Sequence, residues 1–473
     1  MEPDRTMLRD PRVAIAALPT ASYGDGKSSG GPVEAALKRV AEELEWSEED
    51  RGLFGKVIPR GARVLIKPNL VLHENEGPWG IEPLVTHTSL IRAVVEAVLQ
   101  ADPSAVTVGD APVQGCDFDH LMKASGLGEW SDRLKSAEPR FKGIRDFRRT
   151  TCVFVDGVRM AEESRQSENN FILFDLGARS LLEPITDDQG SFRVTCYDPR
   201  LLAKTHAPGR HQFLVAREII EADVVINLPK LKTHKKAGIT CALKNLIGIN
   251  GNKEYLPHHR LGGSGSGGDC YPDTNPFKRA LEFTSDQQNM TTSLAAARAW
   301  TLVSKPFARA LKIMGDELGL EGSWSGNDTI WRTCLDLNRI LLYGRTDGTL
   351  ADRPQRQTLH IVDAVVAGQG DGPLKPQPLP LGMIMAGQNA AAIDWVGARL
   401  LAYNPERLTI VREAFSRFSW PIATFSPSEI VVRGPWKAGP VTEIFRNGAG
   451  PLPVIHPVGW RDAADDAARA NGK

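Results

Sequence analysis

Asp223-Val-Val-Ile-Asn-Leu-Pro-Lys-Leu-Lys-Thr-His-Lys-Lys-Ala-Gly-Ile-Thr-Cys-Ala-Leu-Lys-Asn-Leu-Ile-Gly-Ile-Asn-Gly-Asn-Lys253 lies at the middle of the chain, and its two parts ask for different structures. The opening run, Asp223 to Leu228, is short, almost continuously apolar and β-branched, as in a strand buried on both faces. The second part packs Lys230, Lys232, Lys235, Lys236, Lys244 and Lys253 around His234, with no acidic residue between Lys230 and Lys253. The whole chain balances 57 Lys and Arg against 57 Asp and Glu, so this positive field is local. Cations leaving the carboxyl end of a buried strand are well placed to hold an anion in a cleft.

On either side of this block, strands and helices alternate. Strand patterns cover Arg12 to Leu18, Arg63 to Lys67 and Ala105 to Asp110, then resume at Phe171 to Leu176, Phe213 to Val215, His360 to Val366 and Met383 to Ala386. Helical spacing of apolar residues covers Pro32 to Leu44, Thr88 to Gln100 (with Thr86 or Thr88 as its cap) and Asn389 to Tyr403. This alternation predicts an α/β fold: a mostly parallel central sheet covered by helices, with inserted cap segments. The expected core is 12–116, 191–260 and 355–405. An inserted cap is expected at 117–190, a Gly-rich loop with a helical insertion at 261–354, and a peripheral C-terminal segment at 406–473. No internal repeat is visible.

With 473 residues and 41% hydrophobic content, the chain can bury one large core or two ordinary ones. Zero net charge, without a basic tail or acidic block, gives no reason to expect a nucleic-acid or membrane partner. No apolar run approaches the roughly 20 residues needed to span a bilayer. The short run Val13 to Leu18 is unlike a secretory signal, so a cytoplasmic protein is expected. The six cysteines, Cys116, Cys152, Cys196, Cys241, Cys270 and Cys334, are scattered, with no Cys-x-x-Cys pair, so neither a disulfide framework nor a sequence-local metal cluster is expected.

Ile66-Lys-Pro-Asn-Leu-Val71, Thr86-His87, Val108-Gly-Asp110, the Asn227 to Gly248 block, Ile361-Val-Asp-Ala364, Gly370-Asp-Gly-Pro373 and Ala391-Ala-Ile-Asp-Trp395 together resemble domain-of-unknown-function family 362. The resemblance spans roughly Arg12 to Tyr403. It implies the fold and the location of a site, and carries no established reaction. Some members of that family append ferredoxin-like cysteine clusters, which would imply an iron–sulfur redox role with a redox partner protein. The cysteine spacing here makes that the less expected cofactor. A more distant likeness, at the level of fold alone, is to the lactate-racemase type of α/β enzyme, which uses lysine and histidines around nickel.

Three constellations carry the candidate chemistry. In the central block, Lys232, His234 and Lys244 are candidates for catalysis or anion binding, with Asn227, Lys230 and Asn245 as ligand-binding partners. A lysine and an amide among apolar residues need partners, which weighs against a merely solvated lysine loop. Gly238, Gly248 and Gly251 are expected to let backbone approach a ligand. The second group is Lys67, Asn69 and His87, at a strand end and before a helix, expected to orient the ligand. The third is acidic: Asp110 and Asp371 as base or metal ligands, with Asp363 and Asp394 as further carboxylates. A divalent cation could draw on Asp110, Asp371 and His234. The expected function is therefore an enzyme of open reaction class acting on a small carboxylate or phosphate, the alternatives being a metal-linked redox protein or a non-catalytic anion binder. Gly24-Asp-Gly-Lys-Ser28 fails as a phosphate loop, because Ala21 stands where the motif needs glycine. The adjacent pair His258-His259 reads as loop.

Overall fold

The computed structural model describes residues 6–24, 30–155, 158–434, 439–440 and 453–464, so most of the Gly24 to Ser28 segment lies outside the described residues. The centre of the fold is a mixed, mostly parallel sheet. Its strands are β1 (Arg12–Ala17), β2 (Arg63–Pro68), β3 (Ala105–Asp110), β4 (Phe141–Asp146), β5 (Val224–Leu228), β6 (Lys230–His234), β7 (Gly238–Thr240), β8 (Gln357–Asp371), β9 (Lys375–Leu379), β10 (Met383–Gly387) and β11 (Val431–Arg433). Across the sheet the order is β11-β1-β10-β8-β5-β2-β3-β4. Strands β8, β5, β2, β3 and β4 run parallel, and β10 is antiparallel to both its neighbours.

Side-chain alternation along β5 shows why both faces must be covered. Val224 and Ile226 join one core with Val64, Ile66, Val106 and Val108, beneath the helices Pro32–Glu43 and Thr88–Gln100. Val225 joins the opposite core with Leu65, Val362 and Met385, beneath the helices Ile330–Tyr343 and Ala390–Leu400. Period-two burial on both faces is what a parallel strand requires. The helix starting at Thr88 is capped by His87, whose Nδ1 accepts from Ser89 N. Of the two expected caps, Thr88 is the first helical residue, and Thr86 is occupied elsewhere: its hydroxyl donates to Leu228 O and accepts from Asn69 N.

The outer segments are woven into this sheet. Region 117–190, expected as a cap, supplies β4 at one edge. Region 406–473, expected to be peripheral, supplies β11 near the other edge and the two-residue strand Gly439–Pro440 outside it, while Trp460 packs over Gly238. Region 261–354 contains the Ile330–Tyr343 helix, where Asp336 and Arg339 pair at 2.7 Å inside the core. It also contains a hairpin of two helices, Pro276–Met290 and Leu294–Ile313.

Strand β8 is long, and its two halves have different neighbours. The first pairs with β5 and β10; the second pairs with β6 and β9. Lys230 lies opposite Asp363 and Lys232 opposite Gly368, so the register slips between the two lysines. They therefore reach different surroundings.

A lysine and histidine cleft

Lys232 and His234 alternate on one face of β6, and Thr240 on β7 lies directly opposite Lys232. That face lines a cleft of about 1130 Å³, which also takes Lys67 and Asp110 from the carboxyl ends of β2 and β3. Lys244 and Asn245 enter from the short helix Ala242–Asn245, and Lys253 and His258 from the segment after it. The helical hairpin and the Thr195–Tyr197 segment complete the walls. Ligands in open α/β sheets bind at such strand ends.

The floor of the cleft is a closed polar network. Lys67 Nζ donates to Asp110 Oδ1 at 2.7 Å and to Asn245 Oδ1 at 3.2 Å, and Leu70 N donates to Asp110 Oδ2 at 2.7 Å. Asn69 Nδ2 donates to Asn245 Oδ1 at 2.9 Å, and Asn245 Nδ2 donates to Asn227 Oδ1 at 2.7 Å. Lys232 Nζ donates to Asn69 Oδ1 at 3.0 Å and to Leu84 O. Lys67 thus has a carboxylate; Lys232 has only neutral acceptors. Burial, reinforced by Lys230 and Lys244, pushes the Lys232 ammonium well below its usual range. Lys244 and Lys253 form no side-chain hydrogen bond or ion pair among the described residues, and burial lowers both, Lys253 to about 8.

Two histidines in the cleft have opposite polarity. His234 Nδ1 accepts from Lys236 N at 3.0 Å and Ala237 N at 3.2 Å, so in the neutral ring Nε2 carries the proton. His258 Nδ1 lies 2.6 Å from Leu256 O, a group that only accepts, so its Nε2 keeps the lone pair. Burial and the surrounding lysines hold both imidazoles well below their ordinary range. One is a neutral donor, the other a neutral acceptor. Around them, the buried atoms Gln114 Oε1, Thr240 Oγ1 and His259 Nδ1 have no hydrogen-bond partner among the described residues.

Of the residues singled out from the sequence, Lys67, Asn69, Asp110, Lys232, His234, Lys244, Asn245 and Asp371 line the cleft. Asn227 lies beneath it, with its amide on Ala242 O and beside His360 Nδ1. Lys230 and His87 belong to a separate buried cluster. Lys230 Nζ meets Asp363 Oδ2 at 2.6 Å and Tyr23 Oη at 2.7 Å, while the His87 ring stacks on Tyr23 at 3.6 Å. The Lys230 and Lys232 side chains are fully buried and His234 nearly so, which excludes a solvated lysine loop.

The three candidate metal ligands do not form a shared set. Both Asp110 oxygens are taken by Lys67 and Leu70, and His234 Nδ1 is taken by two backbone amides, which leaves its Nε2 protonated. Asp371 sits half-exposed, 3.7 Å from Lys235. No group of three or more His, Cys, Asp or Glu among the described residues is arranged to hold a metal ion. The three glycines are required by close packing of protein groups. A Cβ on Gly238 would strike Leu408 and Trp460, one on Gly248 would strike Asp110 and Lys67, and one on Gly251 would strike Phe171. They let protein groups come close, and Gly248 also lines the cleft. His258, read from sequence as loop, enters the cleft with no local sequence signal, because a distant fold and one carbonyl contact decide its role.

Residues 64–169 and 179–399 match the domain of unknown function DUF362. This chain belongs to that family. A thylakoid-associated protein of Synechocystis sp. is 25% identical over 235 residues, half of each chain. The DUF362 chain thus spans about half the length of the curated relative it matches. Among solved structures, a Thermotoga maritima protein is similar with a TM-score of 0.32 at 11% identity, covering 76% of this chain and 57% of that one. The lactate racemase apoprotein of Thermoanaerobacterium thermosaccharolyticum is similar with a TM-score of 0.29 at 12% identity, covering 82% and 57%. Among the described residues of this DUF362 chain, no helix is long and apolar enough to cross a membrane.

Proposed function

We propose that this protein is an enzyme acting on a small anionic molecule, bearing a carboxylate or phosphate, held in the lysine and histidine cleft. One observation carries the reading. Lys232, Lys244 and Lys253 face the same cleft and none of them has a carboxylate partner among the described residues. Lys232 is fully buried and Lys244 and Lys253 are half-buried; cations withdrawn from water and kept apart from counter-charge are costly, and a bound anion would relieve that cost. Lys232, Lys244 and Lys253 would hold the anion, and His234 would donate its Nε2–H to it. His258 Nε2 would accept a proton from the bound molecule, which gives the cleft acid–base capacity beyond simple capture. Lys67, Asp110, Asn69 and Asn245 would act by fixing Lys232 and the helix that carries Lys244.

The experiment is calorimetric titration with inorganic phosphate and a set of small carboxylates, on the wild type and on Lys244→Gln and Lys253→Gln. Each variant is expected to weaken binding at least about tenfold, equivalent to about 1.4 kcal/mol. Unchanged affinity in both would overturn the reading. Incubation of the ligands that bind, with product detection by mass spectrometry, then separates enzyme from binder. His258→Ala should keep binding and lose turnover.

A further inference from the structure

The helix Leu294–Ile313 is 20 residues long, and only Ala297 and Leu311 in it are buried. Leu302 is 62% exposed, Ile313 77% and the adjacent Met314 62%, and Phe283 on the partner helix is 55% exposed. At about 100° per residue, Leu302, Val303, Pro306, Phe307, Ala310, Ile313 and Met314 fall in one arc of about 140°. Arg298, Lys305, Arg309 and Lys312 fall in an adjoining arc of about 60°. No acidic residue occurs between Ser293 and Gly315. An apolar arc edged by cations alone is the pattern of a helix lying in a bilayer interface.

We propose that this helical hairpin docks on an anionic lipid surface, with the apolar arc of Leu294–Ile313 in the boundary between headgroups and acyl chains and its basic arc on the headgroup phosphates. The charge pattern selects this occupant over a second copy of the chain, since a symmetric contact through the same face would bring like charges together. Trp300, edge-on to Phe283 at 5.9 Å, stands beside the apolar arc, as interfacial indoles do. Pro306 removes the N–H that would bond Leu302 O, leaving that carbonyl to headgroup water. The opposite side of the hairpin lends Leu281, Ala308 and Leu311 to the cleft wall, and Lys312, at the far end of the basic arc, reaches the cleft rim, so docking sets the cleft close to the membrane.

Co-sedimentation of the full chain with vesicles tests this, using phosphatidylcholine alone and phosphatidylcholine containing phosphatidylglycerol. Binding is expected only to the anionic vesicles and is expected to fall as salt rises. Lys305→Gln with Arg309→Gln should weaken partitioning about 30-fold, and Leu302→Ser with Ile313→Ser should weaken it further, with unchanged thermal unfolding because all four residues are exposed. Lys244→Gln should leave vesicle binding intact, which separates the surface from the cleft. Absence of binding to anionic vesicles would overturn the proposal. So would binding that survives both double variants, or a lipid-free dimer abolished by Leu302→Ser with Ile313→Ser.

Discussion

Asp110 accepts from Lys67 Nζ at 2.7 Å directly beneath Gly248, where a Cβ would stand 2.0 Å from the same carboxylate oxygen. The pair is almost wholly buried, so removing one member strands the other in low dielectric. Lys67→Met and Asp110→Asn should each cost about 3–5 kcal/mol, and the double variant Lys67→Met/Asp110→Asn clearly less than their sum. Gly248→Ala should destabilise comparably, because the carboxylate cannot yield without losing Leu70 N. Urea unfolding of the four proteins measures this. Additive losses would show that the two charges are not coupled.

Lys230 and Lys232 are two residues apart and should behave oppositely. Lys230→Met leaves Asp363 uncompensated and should cost about 3–5 kcal/mol while leaving anion affinity in place. Lys232→Met removes a buried cation that has no carboxylate partner, so stability should hold or rise while anion affinity falls about tenfold or more. Paired measurements of unfolding midpoint and phosphate affinity decide it. Equal behaviour of the two variants would refute the division between structural and cleft lysines.

The sheet was legible because its signal is local. The short continuous apolar run of β5, and the alternation of β3 closed by Asp110, each lie within six residues, and the Thr88–Gln100 helix shows its 3.6-residue spacing directly. Strand β6 was not legible as a strand. Lys230-Leu-Lys-Thr-His234 has poor strand composition, and only pairing with the far half of β8 and with β7 makes it one. The buried helix Ile330–Tyr343 was masked by Asp336, Asn338 and Arg339, whose polarity is satisfied inside the core: Asp336 by Arg339 and Ser180, Asn338 by Leu243 O. At the site, lysine density marked the right block, yet it could not separate Lys230 from Lys232. That difference comes from a register slip against β8.

Anion affinity should depend on pH through Lys253. Burial and neighbouring lysines hold it at about 8, so the ammonium is charged below that value and neutral above it. Affinity for sulfate, which does not titrate in this range, should therefore fall as pH rises through about 8. The step should vanish in Lys253→Gln, which should bind weakly throughout. Calorimetry across this interval measures it. A flat wild-type profile would show that Lys253 stays charged or does not touch the anion.

Asp394 should make stability fall as pH rises. Its carboxylate accepts from Leu243 N at 3.3 Å, but complete burial outweighs these bonds and lifts its pKa from 3.8 to about 7. Between those values the folded protein holds a proton that the unfolded chain releases. Unfolding then releases protons, and this group's contribution, full below about pH 4, is lost as pH rises through about 7. The slope can reach about 1.4 kcal/mol per pH unit. Asp394→Asn keeps an acceptor for Leu243 N and cannot ionise, so relative to wild type it should gain stability steadily across the window. Denaturation midpoints of both proteins at several pH values compare them directly. If the difference is constant with pH, Asp394 is ionised in the folded state at neutral pH, and the turn that presents Lys244 is held by a charge instead of a neutral acid.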